Sequence, residues 1–84
     1  MRWLFPENKK AENASVLDQA LKVREEANEV FSAALNHESE ARILEEAMDN
    51  LQALEGLFRK FSRSKVLAAK ARVVVKCARR GDYR

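Results

Sequence analysis

The spacing of apolar residues most constrains the fold of this chain. The first apolar series, at steps of four and three residues, comprises Val16, Ala20, Val23, Ala27, Val30 and Ala34. The second, at steps of three and four, comprises Leu44, Ala47, Leu51, Leu54, Phe58 and Phe61. Because an α-helix makes one turn in about 3.6 residues, each series forms a stripe on one helical face. The sequence therefore predicts two successive amphipathic helices.

Residues that favour turns are few, and they place the helix boundaries. Two glycines and one proline among 84 residues leave little material for loops. Ser15 followed by Asp18 suits a helix start, and Gly81 suits a helix end. The predicted elements are an irregular segment and three helices, over residues 1–13, 14–36, 38–61 and 64–80. The fold class is therefore predicted to be all-α, a single domain with an antiparallel helical hairpin and a third helix.

The length and the cysteine count exclude several classes of protein. A chain of 84 residues forms one domain, near the size at which a single core is only marginally stable. One cysteine excludes an internal disulfide, and one cysteine with one histidine disfavours a zinc site. The longest apolar run has four residues, so we expect no membrane span. These features predict a cytoplasmic helical protein that packs against a partner subunit.

Charge is divided unevenly along the chain. Residues 1–58 contain six Lys and Arg against twelve Asp and Glu, a net charge of −6. Residues 59–84 contain ten Lys and Arg against Asp82 alone, a net charge of +9. A basic segment of this kind indicates charge pairing within or between subunits, phosphate contacts, or nucleic-acid contacts.

An acidic motif occurs twice, about one helical hairpin apart. Residues 22–30 read KVREEANEV, and residues 42–50 read RILEEAMDN. Each phrase has two adjacent glutamates and a third carboxylate three residues later. The acidic residues of the two phrases are Glu25, Glu26, Glu29, Glu45, Glu46 and Asp49.

The two acidic segments are predicted to lie at the same height along the hairpin. If the chain turns near residues 37–38, residues whose numbers sum to about 75 lie level with each other. Glu29 is then level with Glu46, and Glu26 is level with Asp49. We therefore expect one cluster of four carboxylates.

The predicted contact face places this cluster beside the helix–helix seam. With the stripes centred on Ala27 and Ala47, the carboxylates fall to the same side of both helices, because successive residues are about 100° apart. Farther along the second helix, Ala53 and Gly56 are small, and we expect them to leave room for a ligand.

Four neighbouring carboxylates repel one another unless a cation neutralises them. Mg²⁺ or Mn²⁺ is the expected cofactor, because hard cations prefer carboxylate oxygens. The alternative is a solvated helix surface, since Lys22 and Arg42 lie four residues before Glu26 and Glu46 and can form ordinary ion pairs. Those two cations could instead orient the metal ligands or contact phosphates.

The two phrases resemble the motif of the all-α nucleoside triphosphate pyrophosphohydrolases, which include MazG-like proteins, dimeric dUTPases and phosphoribosyl-ATP pyrophosphatases. Their hallmark is E-E-x-x-E, a spacer and E-x-x-D on two helices. Glu25, Glu26 and Glu29 match the first half, and Glu46 and Asp49 match the second. The resemblance covers about residues 16–61.

This resemblance implies magnesium-dependent cleavage of a nucleoside triphosphate between its α- and β-phosphates, giving a nucleoside monophosphate and pyrophosphate. It also implies a homodimer or homotetramer whose helices complete a four-helix bundle. On this interpretation Glu26, Glu29, Glu46 and Asp49 hold the metal and carry catalysis, with Glu25 and Glu45 as supporting acids. The candidate phosphate-binding residues are Lys22, Lys70, Lys76 and Arg80.

Two other functions remain open at this stage. A nucleic-acid-binding module would use the basic segment over residues 59–84. That interpretation leaves the repeated acidic motif unexplained, and we expect no specific nucleic acid as a partner. A helical assembly protein would use the apolar stripes for a bundle without any chemistry.

Overall fold

Four helices form the described part of the chain, residues 2–84 of a computed structural model. Their bounds are α1 Lys9–Asn13, α2 Val16–Leu35, α3 Glu40–Phe58 and α4 Arg63–Arg79. Residues 2–84 contain no strand, and the predicted all-α class is confirmed. The first segment differs from expectation, because α1 occupies part of residues 1–13, which we predicted to be irregular. A five-residue helix is too short to produce an apolar period in the sequence.

Serine residues cap the three long helices. Ser15, Ser39 and Ser62 precede α2, α3 and α4, and each hydroxyl oxygen accepts a hydrogen bond from the backbone N–H three residues later, at 3.0, 3.2 and 3.3 Å. Such a bond satisfies one of the free N–H groups of the first helical turn. Between α2 and α3 the chain reverses through His37, whose φ of 54° is in the left-handed region.

Small side chains lie in the seam between α2 and α3. Ala33 of α2 and Ala53 of α3 are both buried. The side-chain amide of Gln19, near the start of α2, donates a 2.9 Å hydrogen bond to the carbonyl of Ala53. Since Ala53 lies near the end of α3, this contact shows that the two helices are antiparallel.

The contact face of the hairpin is rotated relative to the predicted one. Ala27, the expected centre of the seam on α2, is exposed, whereas its neighbour Glu26 is buried. On α3, Glu46 is more deeply buried than Ala47. One residue corresponds to about 100° of rotation, so this rotation brings Glu26 and Glu46 into the seam. The expectation that these two carboxylates flank the seam was therefore wrong, whereas Glu29 and Asp49 are exposed.

Several large apolar residues of α2 lie on the side away from α3. Leu17 and Leu35 are each nine residues from Glu26, which is about two and a half helical turns. Leu17, Phe31 and Leu35 are 69%, 67% and 63% exposed. We call the surface formed by these three residues and Leu21 the outer face of α2.

The segment before α1 is attached to the end of α3. The backbone N–H groups of Leu4 and Phe5 donate to the two carboxylate oxygens of Glu55, at 2.8 and 2.9 Å. The Arg59 guanidinium donates to the carbonyls of Phe5 and Pro6 and lies 5.1 Å from the centre of the Trp3 ring. These contacts hold α1 against α3, where Ala11 is buried.

Helix α4 follows the hairpin and buries none of its residues. Gly81, with a φ of 75°, comes directly after its C-terminal end. None of the helices in residues 2–84 combines the length and the apolarity of a membrane span.

Candidate metal centre

Three carboxylates converge in the seam between α2 and α3. Glu26, Glu46 and Asp49 each offer an oxygen, and these oxygens lie within 4.8 Å of one another. Glu29 lies outside this group of three but is close enough for Glu46 and Glu26 to raise the pKa of its carboxyl. The four acidic residues that height along the hairpin predicted to meet are therefore neighbours in the structure.

Two basic residues each bind one oxygen of the cluster. Lys22 Nζ lies 2.8 Å from Glu26 Oε1, and a terminal nitrogen of the Arg42 guanidinium lies 2.7 Å from Glu46 Oε1. These are the ion pairs between residues four apart that the sequence allowed. They are not solvated surface pairs, however, because Glu26 and Glu46 are only 8% and 5% exposed.

The second oxygen of each buried glutamate has no partner. Glu26 Oε2 and Glu46 Oε2 are buried without a hydrogen bond, and so is Oδ1 of Asn50. Buried polar atoms in proteins are nearly always hydrogen-bonded or bound to an ion or water, because an unpaired buried acceptor costs free energy. Three such oxygens on adjacent turns of α2 and α3 are the ligand type that Mg²⁺ and Mn²⁺ prefer.

The charges of the cluster also match one divalent cation. Four carboxylates and the two paired cations, Lys22 and Arg42, leave a formal charge of −2. The residues present therefore fit a divalent cation both in donor chemistry and in charge.

The pKa of the Glu29 carboxyl is shifted by the other acidic residues of the cluster. Its hydrogen bond with Glu46, followed by the negative charge of Glu26, raises the pKa of Glu29 above its ordinary value. The hydrogen bond and the charge of Glu26 raise the pKa of Lys22, and the charges of Glu25 and Glu29 add to this shift. The shift of Glu29 favours its neutral form and so opposes the accumulation of negative charge in the metal-free cluster, whereas the shift of Lys22 favours its positive charge beside Glu26.

Glu25 and Glu45, the predicted supporting acids, are exposed and lie outside the three-carboxylate group. Glu45 contacts Arg42 at 3.5 Å, so it is adjacent to the cation that binds Glu46. Glu25 acts on the cluster through its charge on Lys22.

The predicted phosphate-binding residues of α4 do not line the cavity beside the carboxylates. Lys70 lines an apolar groove with Phe58 and Phe61, and Lys76 and Arg80 line another groove on α4. Lys22 alone among the four predicted residues lines the cavity that contains Glu26 and Asp49.

The space expected over Gly56 is filled. A Cβ placed on Gly56 would lie 2.8 Å from Cβ of Ala11 and 2.9 Å from Nε2 of Gln19. The glycine is therefore required for the close approach of α1 and Gln19 to α3, and the space directly above it is occupied. Gly56 instead lines a smaller cavity of about 200 Å³, which does not include the carboxylates of the cluster. Ala53, in contrast, does line the cavity beside the carboxylates.

Asn50 and Lys10 were missed in the sequence. Asn50 lies one turn after Glu46 and next to Asp49, so its position on the acidic face of α3 was a usable signal. Lys10 lines the cavity only because α1 folds over the hairpin, and nothing in the apolar spacing indicated α1.

Comparison of the chain with protein-family models, with curated proteins and with solved structures gives no match. The function of this protein is therefore inferred from its own residues and their arrangement.

Proposed function

We propose that this chain is a small MazG-like nucleotide pyrophosphohydrolase that depends on Mg²⁺ or Mn²⁺. The observation that carries the proposal is the pair of buried glutamates, Glu26 and Glu46, each with one oxygen bound by a cation and one oxygen without a partner. A purely structural ion pair gives no reason for bringing Asp49 and Glu29 to the same point. A metal-binding role accounts for all four carboxylates.

In this proposal Glu26, Glu29, Glu46 and Asp49 hold the metal, and one of them accepts a proton from the attacking water. Lys22 and Arg42 fix the orientation of the two buried carboxylates by binding one oxygen of each. A divalent cation bound here would polarise a phosphoanhydride and make a bound water more acidic. The proposed substrate is a nucleoside triphosphate, cleaved between the α- and β-phosphates.

We also propose that the active protein is a homodimer or homotetramer. The outer face of α2 exposes Leu17, Leu21, Phe31 and Leu35, and α4 buries none of its own residues. Large exposed apolar surfaces on a small protein mark sites of association. A second copy is the preferred partner. Residues 59–84 carry a net charge of +9 and residues 1–58 carry −6, so the basic segment of one chain attracts the acidic part of another.

The activity is tested with a panel of nucleoside triphosphates in the presence of Mg²⁺, with the products separated and identified. The expected products are the nucleoside monophosphate and pyrophosphate. Inorganic phosphate as the sole product would contradict α,β cleavage. No turnover over the whole panel favours the assembly protein, and tight sequence-selective binding of duplex DNA favours the nucleic-acid-binding module.

The metal site is tested separately by thermal unfolding. Millimolar Mg²⁺ or Mn²⁺ is expected to raise the melting temperature beyond an ionic-strength control, since a ligand at a hundred times its dissociation constant adds about 2.7 kcal/mol. Asp49→Asn should stabilise the metal-free protein slightly and remove most of the metal-induced shift. Glu12→Gln is the matched control, because Glu12 is exposed on α1 and lies outside the carboxylate group. An unchanged shift in Asp49→Asn would show that the cluster holds no metal.

A further inference from the structure

A cavity of about 490 Å³ adjoins the carboxylate cluster, where α1 lies over the ends of α2 and α3. This volume is within the range of about 300–1,000 Å³ that small-molecule sites occupy. Its charged lining consists of Lys10, Asp18, Lys22, Glu26 and Asp49, and its amide side chains are Asn8, Gln19 and Gln52.

The charges of the cavity are divided between its parts. Glu26 and Asp49 belong to the carboxylate cluster, Asp18 lies in the first turn of α2, and Lys10 comes from α1. The ammonium of Lys22 already binds Glu26 at 2.8 Å. Among residues 2–84, the ammonium of Lys10 makes no hydrogen bond or ion pair, so it is the cation of this cavity that is available to an added anion.

The amide side chains of the cavity also differ in whether they already make a hydrogen bond within the protein. The Gln19 amide donates to the carbonyl of Ala53, and Asn8 Oδ1 accepts from the backbone of Ala11 at 3.2 Å. Within the described residues, the Gln52 side chain makes no hydrogen bond, although it lines the cavity. An amide offers both donors and an acceptor, which suits recognition of a polar heterocycle or sugar.

We propose that this cavity is the substrate-binding site, in which Lys10 binds phosphate oxygens and Gln52 hydrogen-bonds the nucleoside. The inference rests on the proposed function, because it takes the adjoining cluster to be the metal site. It assigns phosphate binding to α1 instead of to Lys70, Lys76 and Arg80, which line other grooves. A metal held by carboxylates usually shares the phosphates of its substrate with nearby cations, as this arrangement allows.

The role of Lys10 is tested by comparing Lys10→Met with the same substitution at the neighbouring Lys9. Lys9 is also an exposed lysine of α1, but it does not line the cavity, so Lys9→Met is the matched control. The probe is methylenediphosphonate with Mg²⁺, a diphosphate analogue that cannot be hydrolysed, and its binding is measured by calorimetry. Lys10→Met is expected to weaken probe binding about tenfold or more, since a charge-assisted hydrogen bond contributes about 1.5–3 kcal/mol. Lys9→Met should leave the affinity unchanged.

Mn²⁺ binding without the probe, measured by electron paramagnetic resonance, separates this inference from the proposed function. Lys10→Met should bind Mn²⁺ as tightly as the unaltered protein. If the unaltered protein binds Mn²⁺ and Lys10→Met weakens the probe no more than Lys9→Met, the role of Lys10 is wrong and the metal site stands. Binding of Mn²⁺ without any binding of the probe also overturns the cavity assignment. Failure to bind Mn²⁺ at all overturns both proposals.

Discussion

Arg42 binds one oxygen of Glu46 at 2.7 Å and leaves the other oxygen buried without a partner. Arg42 is about half exposed, whereas the Glu46 side chain is almost completely buried. The ion pair is therefore asymmetric, because the carboxylate has lost its water on both oxygens and has regained a partner on only one. Such a carboxylate depends strongly on the single cation that it retains.

Removal of this cation is expected to lower both the stability of the metal-free protein and its affinity for the metal. Arg42→Met should destabilise the metal-free protein by about 2 kcal/mol, since it leaves Glu46 charged and unpaired in the seam. The same substitution should weaken Mg²⁺ binding by about tenfold or more, because Arg42 no longer orients the Glu46 carboxylate. Urea unfolding with and without Mg²⁺ measures both quantities. Arg72→Met, at an exposed position on α4, is the control and should change neither.

The stability of the metal-free protein should also depend on pH through Glu29. Glu46 and Glu26 raise the pKa of Glu29 in the folded state, so protonation of this group favours folding. Its contribution is complete below the unfolded glutamate pKa of about 4.3 and is lost as the pH rises through the raised folded pKa. Unfolding in a chelator between about pH 4 and 8 should therefore show a loss of stability that Glu29→Gln removes.

Glu12, a second carboxyl group with a raised pKa, provides the control for this pH series. A hydrogen bond with Glu7, followed by the charge of Glu7, raises the pKa of Glu12, which is on α1. Glu12→Gln should therefore leave the Glu29 contribution in place. With saturating Mg²⁺, the stability of the Glu12→Gln protein should instead increase as the pH rises, because the ligands must be deprotonated to bind the metal. A pH profile that Mg²⁺ does not alter would contradict metal binding by Glu29.

The sequence predicted which carboxylates meet, but it did not predict which face of the hairpin is buried. Height along an antiparallel hairpin depends only on the turn position, so the neighbours Glu29 and Glu46 followed from counting residues. The buried face does not follow in that way. Amphipathic spacing shows that Leu17 and Leu35 form an apolar surface, but it does not show whether α3 or another chain covers that surface.

The segment before α2 was predictable only in part. Asn8 is a suitable N-cap and could have indicated α1, whose backbone it caps at Ala11. Its docking depends on contacts distant in sequence, such as Leu4 and Phe5 with Glu55. No local pattern specifies such contacts, and the cavity that contains Lys10 could not be seen without them.

Gly56→Ala should test how closely α1 and α3 approach each other. The added Cβ would meet Ala11 at 2.8 Å and the Gln19 amide at 2.9 Å, so one of the two must move. We expect a loss of about 1–3 kcal/mol in the free energy of unfolding, typical of an overpacked site. In the double variant Ala11→Gly with Gly56→Ala, the loss of stability should be smaller than the sum of the losses in the two single variants. Simple additivity in chemical denaturation would show that Ala11 and Gly56 are not in contact.

The outer face of α2 provides the last prediction, which concerns association. Phe31 is 67% exposed in the single chain, so a charged residue there should not disturb the fold of one subunit. If a second copy covers this face, Phe31→Glu removes a buried aromatic ring and places a charge in an apolar interface. The loss of about 1.5–3 kcal/mol of apolar burial alone corresponds to a dissociation constant about tenfold or more higher. Light scattering at micromolar concentration should therefore give a dimer or larger for the unaltered protein and a smaller species for Phe31→Glu, with equal helicity by circular dichroism. Asn13→Glu adds the same charge at the end of α1 and should leave the mass unchanged. An unaltered chain that scatters as a stable 9.6 kDa monomer would contradict the proposed assembly and leave the outer face of α2 exposed in solution.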